Sequence, residues 1–236
     1  YYTRIYDQSK VISYYDDVAA TFTNFAMSGI DKVHFGLEAA VSIPIYHTLA
    51  LNGAVSWGQY TYDSNPYYLQ TQDNSGDIVS DGYVYWKDFR VESTPQTAVN
   101  VGLSWRSNNN IYLSADFNYY NNMYLSMSPI YRTDAVITGG MAPGDIEHLR
   151  RQEKFDSAYT LNASIGKNWY IHRQYTLGFS LEVKNILNNQ DIRTGGYEQT
   201  RLTKNTETTV TTYQAFDSKY FYMFGTTYYL NLYFRF

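Results

Sequence analysis

The chain has 236 residues, a formal net charge of −4 and a mean hydropathy of −0.44. It contains no run of about 18 apolar residues, which excludes a membrane-spanning helix, and no cysteine, which excludes a disulfide framework. The mildly acidic charge, without a basic stripe, argues against nucleic acid as a partner. The 27 tyrosines are typical of membrane–water interfaces and of secreted binding modules.

In the N-terminal third of the chain, the alternation of apolar and polar residues is weak at first and becomes clear from residue 33. Residues 1–12 predict an incomplete strand, because apolar and polar residues alternate poorly, and residues 13–30 predict a loop. The odd-numbered residues of 33–43 are apolar, and their even-numbered neighbours are polar or small. Successive side chains of a strand point to opposite faces, so 33–43 and 49–57 predict a pair of two-faced strands joined by a tight turn. A polar, aromatic loop is expected at 64–88.

The same alternation recurs twice more along the chain. It predicts two further strand pairs, at 99–105 with 111–119 and at 159–169 with 175–183. Each pair is joined by a short turn and is followed by a long loop, at 128–155 and 188–218. Short and long connections therefore alternate, which is typical of an up-and-down sheet whose long loops all lie at one end.

The last eighteen residues, 219–236, predict one long strand that runs to the C-terminal Phe236. Its even-numbered residues are almost all apolar or aromatic, while its odd-numbered residues are mixed and are polar or small in the middle. An apolar face of this length is expected for a strand that crosses a bilayer. We expect this strand to pair with the strand that begins at residue 175, with its apolar face toward lipid and Arg235 pointing inward.

Together the strands predict an all-β, antiparallel, up-and-down transmembrane β-barrel with about eight strands in this chain. The apolar faces are flanked by aromatic residues, as in an interfacial girdle: Trp57, Trp105, Tyr119, Trp169, Tyr175 and Phe236. The opposite faces carry the charged residues Glu38, Asp116, Glu182, Lys184 and Arg235, which are costly to bury in a dry core. The alternative fold is a secreted antiparallel sandwich with one polar face per sheet.

Four segments resemble a known family. Residues 182–190 resemble the penultimate-strand segment of TonB-dependent outer-membrane receptors, in which a V-x-N-L-x-N run recurs. Residues 233–236 are similar to their C-terminal strand, whose final aromatic residue is recognised by the barrel-assembly machinery. Residues 28–38 resemble a glycine-containing segment of the same barrels. Residues 141–145 and the tyrosine content are most similar to the Bacteroidetes SusC-like branch.

The resemblance implies a 22-stranded barrel with a plug in its lumen, of which residues 1–236 are the C-terminal segment. The plug domain and the N-terminal barrel strands are then absent from this chain. Residues 1–4 do not show the basic and apolar stretches of a signal peptide, so we expect either that processing removed it or that the chain is the tail of a longer protein. The implied location is the outer membrane of a Gram-negative cell, with long loops extracellular and short turns periplasmic. The alternative architecture is a self-contained, eight-stranded outer-membrane barrel with a structural or adhesive role.

The family also implies a function and partners. The function is energy-coupled transport, with uptake of a nutrient such as a glycan, a peptide or a metal chelate. The expected partners are outer-membrane lipid, the barrel-assembly machinery through Phe236, TonB through the missing N-terminal region, and a SusD-like surface lipoprotein. An upstream plug domain would favour the transporter over the small barrel.

The sequence gives little support for catalysis, so we expect no enzyme, no cofactor and no metal. The histidines His34, His47, His148 and His172 are scattered, without metal-ligand spacing. The oxygen-rich residues 73–77, with Asp81 beyond, are compatible with calcium. They depart from the EF-hand pattern, and a plain Asn/Asp/Gly turn is the favoured interpretation.

Aromatic residues in the expected loops are the candidate site. They are Tyr67, Tyr68, Tyr83, Tyr85, Trp86, Tyr131 and Tyr197. Their rings are suited to stacking on sugar rings or to contacting a lipoprotein lid. The alternative role is packing within the loops or within an interfacial girdle.

Overall fold

The computed structural model describes residues 1–16, 20–138, 147, 150–172, 174–205 and 212–236, and of residues 202–205 and 212–214 only the backbone is described. Within them the protein is all-β, with antiparallel sheets. The described strands are β1 (Tyr2–Asp16), β2 (Thr21–Tyr46), β3 (Leu49–Tyr62), β4 (Tyr67–Gln72), β5 (Ile78–Tyr83), β6 (Thr97–Arg106), β7 (Ile111–Asn121), β8 (Ala158–Ile171), β9 (Tyr175–Lys184), β10 (Arg193–Tyr197), β11 (Leu202–Asn205), β12 (Thr212–Ala215), β13 (Lys219–Tyr222) and β14 (Thr227–Arg235). A 3₁₀ turn (Ile130–Arg132) and a short helix α1 (Asp134–Ile137) lie between β7 and β8. No helix among these residues is long and apolar enough to cross a membrane.

One ten-stranded sheet dominates the fold. Its backbone is an antiparallel meander in the order β1-β2-β3-β6-β7-β8-β9-β14, and the β4–β5 hairpin pairs with the first part of β2. Two smaller sheets, β10–β13 and β11–β12, lie in the last long connection. The expectation of about eight strands is therefore wrong, because the long connections contain strands of their own.

The sheet is open in the described part of the chain. There, β1 pairs only with β2, and β14 pairs only with β9, so the two edges do not meet in a closed barrel. The alternation of connections follows the prediction. Short turns join β2 to β3, β6 to β7 and β8 to β9, and long connections at 63–96, 122–157 and 185–226 join β3 to β6, β7 to β8 and β9 to β14 at the opposite end.

The two faces of the meander differ sharply in chemistry. On the face that we call the apolar face, cross-strand neighbours form rows of aliphatic and aromatic side chains. Two such rows are Ile43–Leu51–Leu103–Ala115–Ala163–Val183–Tyr228 and Leu49–Trp105–Leu113–Ile165–Leu181–Leu230. Many of these side chains are exposed, for example Leu37 (71 %) and Leu232 (69 %). The sheet thus presents a broad apolar surface that the described residues do not cover.

The opposite face, the polar face, is cross-linked by side-chain hydrogen bonds between strands. The Asn52 side chain links Ser42 (2.8 Å) on β2 to Ser104 (3.1 Å) on β6. Farther along the sheet, Asn100 donates to Asn118 at 2.8 Å, and Ser114 bonds Ser164 at 2.8 Å. These contacts satisfy polar groups across neighbouring strands, so the polar side of the predicted alternation is confirmed as one continuous surface.

The predictions for residues 1–30 are wrong. Residues 2–16 form a full strand, and β2 begins at residue 21 instead of near residue 33. The alternation is hidden by a bulge: Gly29 has φ +73°, and the β1–β2 register shifts between residues 5 and 10. This bulge keeps Met27 and Ile30 on the same face of β2, where both are buried. The parity of apolar positions therefore changes within the strand.

The prediction of one continuous strand over 219–236 is also wrong. β13 pairs with β10, whereas only β14 pairs with β9 as expected. The strand is broken because the Asn185 amide donates to the Phe224 carbonyl (3.0 Å), and the Asn188 side chain accepts from the Thr226 backbone N–H (3.1 Å). Within β14 the predicted faces are confirmed, since Leu230 and Leu232 lie opposite Leu181 and Phe179.

Candidate ligand-binding site

The long connections fold into a compact unit, the loop cap, over the polar face at one end of the sheet. Its hydrophobic core joins residues of β1, β2 and β3 to residues of two long connections. The buried members are Tyr14, Phe25, Met27, Ile30, Tyr62, Tyr68, Val84, Trp86, Met127, Ile130, Tyr131 and Val136. The polar-face positions are therefore apolar at this end, where the connections cover them, and polar along the rest of the sheet.

Aromatic pairs and backbone hydrogen bonds fix the cap in place. The Phe25 and Tyr68 rings stack at 4.5 Å, and the Tyr62 and Trp86 rings are 4.8 Å apart. Such pairs contribute about 1 kcal/mol each beyond the area that they bury. The Asn65 side chain accepts from the backbone N–H groups of Trp86 (3.0 Å) and Lys87 (2.9 Å), which holds this turn against the sheet.

A buried ion pair ties the second long connection to the third. The Arg132 side chain is fully buried and donates to both Glu198 oxygens, at 2.5 and 2.9 Å. It also donates to the backbone carbonyls of Ser128 (3.0 Å) and Arg151 (3.4 Å), while Glu198 accepts from the Ser128 backbone N–H (2.8 Å). A bidentate pair of this kind is rigid, although the buried Arg132 Nε has no hydrogen-bond partner among the described residues. Removal of one partner would leave a buried charge.

A cavity of about 620 Å³, the loop pocket, opens beside this ion pair. Its lining combines aromatic rings with charged and polar side chains. The lining residues are Tyr131, Arg151, Gln152, Glu153, Lys154, Glu198, Ala215, Phe216, Asp217, Ser218 and Tyr220. Concave sites with aromatic walls and a few convergent polar groups are typical of ligand binding.

The polar groups of the loop pocket are held by their neighbours. Arg193 pairs with Glu153 at 2.7 Å and lies over the Tyr220 ring at 4.3 Å, and the Tyr220 hydroxyl donates to Glu153 at 2.8 Å. Tyr131 donates to the Arg201 carbonyl at 2.8 Å. Burial raises the pKa of Tyr131 to about 12, so this hydroxyl is a neutral donor at physiological pH.

The predicted loop aromatics do not form one site. Tyr68, Trp86 and Tyr131 are buried in the cap core, so we assign them to packing, and only Tyr131 also lines the loop pocket. Tyr67 and Tyr83 are exposed on the other side of the β4–β5 hairpin, with their rings edge to face at 5.5 Å.

The remaining two, Tyr85 and Tyr197, make other contacts. Tyr85 donates to Asp134 at 2.6 Å, and Tyr197 is exposed beside Phe221. Sequence analysis missed Arg132, Glu153, Glu198 and Tyr220. Arg132 and Glu198 are 66 residues apart, so no local pattern links them.

The other sequence candidates show no shared chemistry in the structure. Asp73 accepts from the Asn24 amide at 3.0 Å, and Asp81 accepts from the Tyr67 hydroxyl, so two of the three acids of the possible calcium segment are engaged elsewhere. The described residues contain no group of three or more His, Asp or Glu side chains that could hold a metal ion. His148 and the 141–145 segment lie outside the described residues. The role of Phe236 in assembly stays a prediction.

No protein-family model matches the chain, and no curated protein matches it.

Proposed function

We propose that this chain forms part of the barrel wall of an outer-membrane, TonB-dependent transporter that imports a nutrient such as a glycan, a peptide or a metal chelate. The observation that carries the proposal is the apolar face that runs across the meander from β2 to β14. Cross-strand rows such as Leu49–Trp105–Leu113–Ile165–Leu181–Leu230 place apolar side chains where lipid tails would contact them. In water, an exposed apolar area of this extent would promote aggregation.

The polar face supports the same proposal. Asn, Ser and Thr side chains bond across the strands, and the charged residues Glu38, Asp116, Glu182, Lys184 and Arg235 share this face. A wet lumen accommodates these groups without the cost of dry burial. In the sandwich alternative, a second sheet would have to cover the whole apolar face.

Edge strands argue for a wall that is wider than the meander itself. β1 and β14 each leave one long edge unpaired among the described residues, and unpaired backbone groups are costly in lipid. Closure of β1 onto β14 would give the eight-stranded alternative. The interior of such a barrel is just wide enough for side chains. The loop cap places whole segments, including Trp86 and Tyr131, over the polar face, which favours a larger barrel completed by further strands.

Orientation follows from the two ends of the sheet. We assign the long connections and the loop cap to the extracellular side and the three short turns to the periplasmic side, as is usual in outer-membrane barrels. Lys167, on the apolar face near a short turn, lies over the Trp169 ring at 5.3 Å. A lysine here extends its ammonium group to the headgroup region, which suits a periplasmic interface.

The transporter and the small structural barrel are separated by contact with TonB. We expect the intact protein, in its own bacterium, to fractionate with the outer membrane and to form a formaldehyde cross-link to TonB. A strain without TonB is the control for the identity of the cross-linked band. Outer-membrane location without the cross-link would contradict the transporter and favour the structural barrel.

A further inference from the structure

The loop pocket has an excess of unpaired positive charge. Its two most enclosed carboxylates are already neutralised, since Glu198 is bound by Arg132 and Glu153 is bound by Arg193 and Tyr220. Among the described residues, Arg151 and Lys154 have no carboxylate partner. They line the pocket within a chain whose net charge is −4, so the positive charge is local. An anion that enters the pocket would gain charge-assisted hydrogen bonds from both groups.

The remaining lining residues define what else the ligand must carry. Phe216 and Tyr220 offer ring surfaces, and both rings are oriented by arginines that stack on them, Arg201 at 4.5 Å and Arg193 at 4.3 Å. Asp217 has no cationic partner among the described residues, and it would repel a second anion and accept hydroxyl donors. The pocket lining thus combines the Arg151 and Lys154 cations, two aromatic rings and the Asp217 acceptor.

We propose that the loop pocket binds an anionic sugar, with a carboxylate or sulfate group at Arg151 and Lys154, a ring against Phe216 and Tyr220, and a hydroxyl toward Asp217. The inference rests on the proposed function only for the position of the pocket at the extracellular end. A uronic acid and a sulfated sugar supply the same chemistry, which is an anion attached to a hydroxylated ring. A cavity of about 620 Å³ is large enough for such a unit.

Calorimetry on the intact protein in detergent tests this assignment. The probes are a galacturonic acid oligosaccharide, its carboxyl-reduced neutral counterpart and a sulfated galactose oligosaccharide. We expect at least one acidic probe to bind at least about tenfold more tightly than the neutral one, with an affinity that falls as salt increases. Arg151→Gln and Lys154→Gln should each weaken acidic binding by about tenfold, because each removes one contact to a charged group.

Lys87→Gln is the matched control, because Lys87 is an exposed lysine of the same cap that does not line the pocket. It should leave the affinity unchanged. The assignment would be overturned if the acidic and neutral probes bound equally, if the neutral probe bound more tightly, or if the Arg151→Gln, Lys154→Gln double variant kept the natural affinity for the acidic probes. The proposed function can fail separately. If the protein is absent from the outer membrane but acidic binding is lost in the double variant, the pocket assignment stands and the transporter proposal is wrong.

Discussion

Glu198→Ala should open the loop cap. We expect amide hydrogen exchange of residues 125–137 to become about a hundredfold faster or more, while exchange of the β6–β9 amides stays unchanged. The reason is that Arg132 is fully buried and its guanidinium would lose both Glu198 oxygens. Breaking a buried pair by removal of one partner costs about 3–5 kcal/mol, and about 1.4 kcal/mol corresponds to a tenfold change in the opening equilibrium.

Two further variants make this result specific to the buried charge. Glu182→Ala removes an exposed glutamate that pairs with Lys184 at 3.4 Å, and it should change exchange by no more than a few-fold because exposed pairs contribute about 1 kcal/mol or less. The double variant Arg132→Met, Glu198→Leu removes both charges and should recover most of the protection. If exchange in the cap were the same in Glu198→Ala as in the natural protein, the ion pair would have no structural role.

Period-two alternation predicted those parts of the fold in which one face is uniformly apolar. Residues 33–43, 99–105 and 175–183 all lie in strands with the predicted faces, because a single environment acts on each face along their whole length. The long and short connections could also be predicted, since they are the intervals between the alternating segments.

The rest depends on contacts between distant parts of the chain. The Gly29 bulge changes the parity of β2, and the polar-face positions of its first part become apolar because the loop cap covers them. The break before β14 is made by Asn185 and Asn188, about 40 residues upstream, whose side chains bond the 224–226 backbone. For the same reason, the loop pocket could not be predicted: its walls come from two connections that are joined by Arg132 and Glu198.

Val101→Arg should strongly reduce the amount of folded protein in the outer membrane. Val101 lies in the middle of β6 on the apolar face, between Gly53 and Phe117, and 47 % of it is exposed. An arginine at the midplane of a lipid-facing strand costs about 2–4 kcal/mol. The folded fraction is measured in urea as the heat-modifiable band of the intact protein. The equilibrium constant for folding derived from it should fall by about 30-fold or more.

Asn100→Arg is the matched control, one residue away on the polar face. Asn100 lies opposite Asn118 and donates to it at 2.8 Å, so the change removes one hydrogen bond between polar groups. We expect a cost of about 1 kcal/mol, since the arginine enters a wet environment. Equal losses in the two variants would contradict the assignment of the two faces.

Photo-cross-linking at the same two positions tests whether the apolar face contacts lipid. A benzophenone side chain at position 101 or 100 of the intact protein is irradiated in native outer membranes, and the products are separated by mass. We predict a phospholipid or lipopolysaccharide adduct at position 101 and none at position 100. A cross-link from position 101 to protein, with no lipid adduct, would contradict lipid contact at the apolar face and favour a second sheet that covers it.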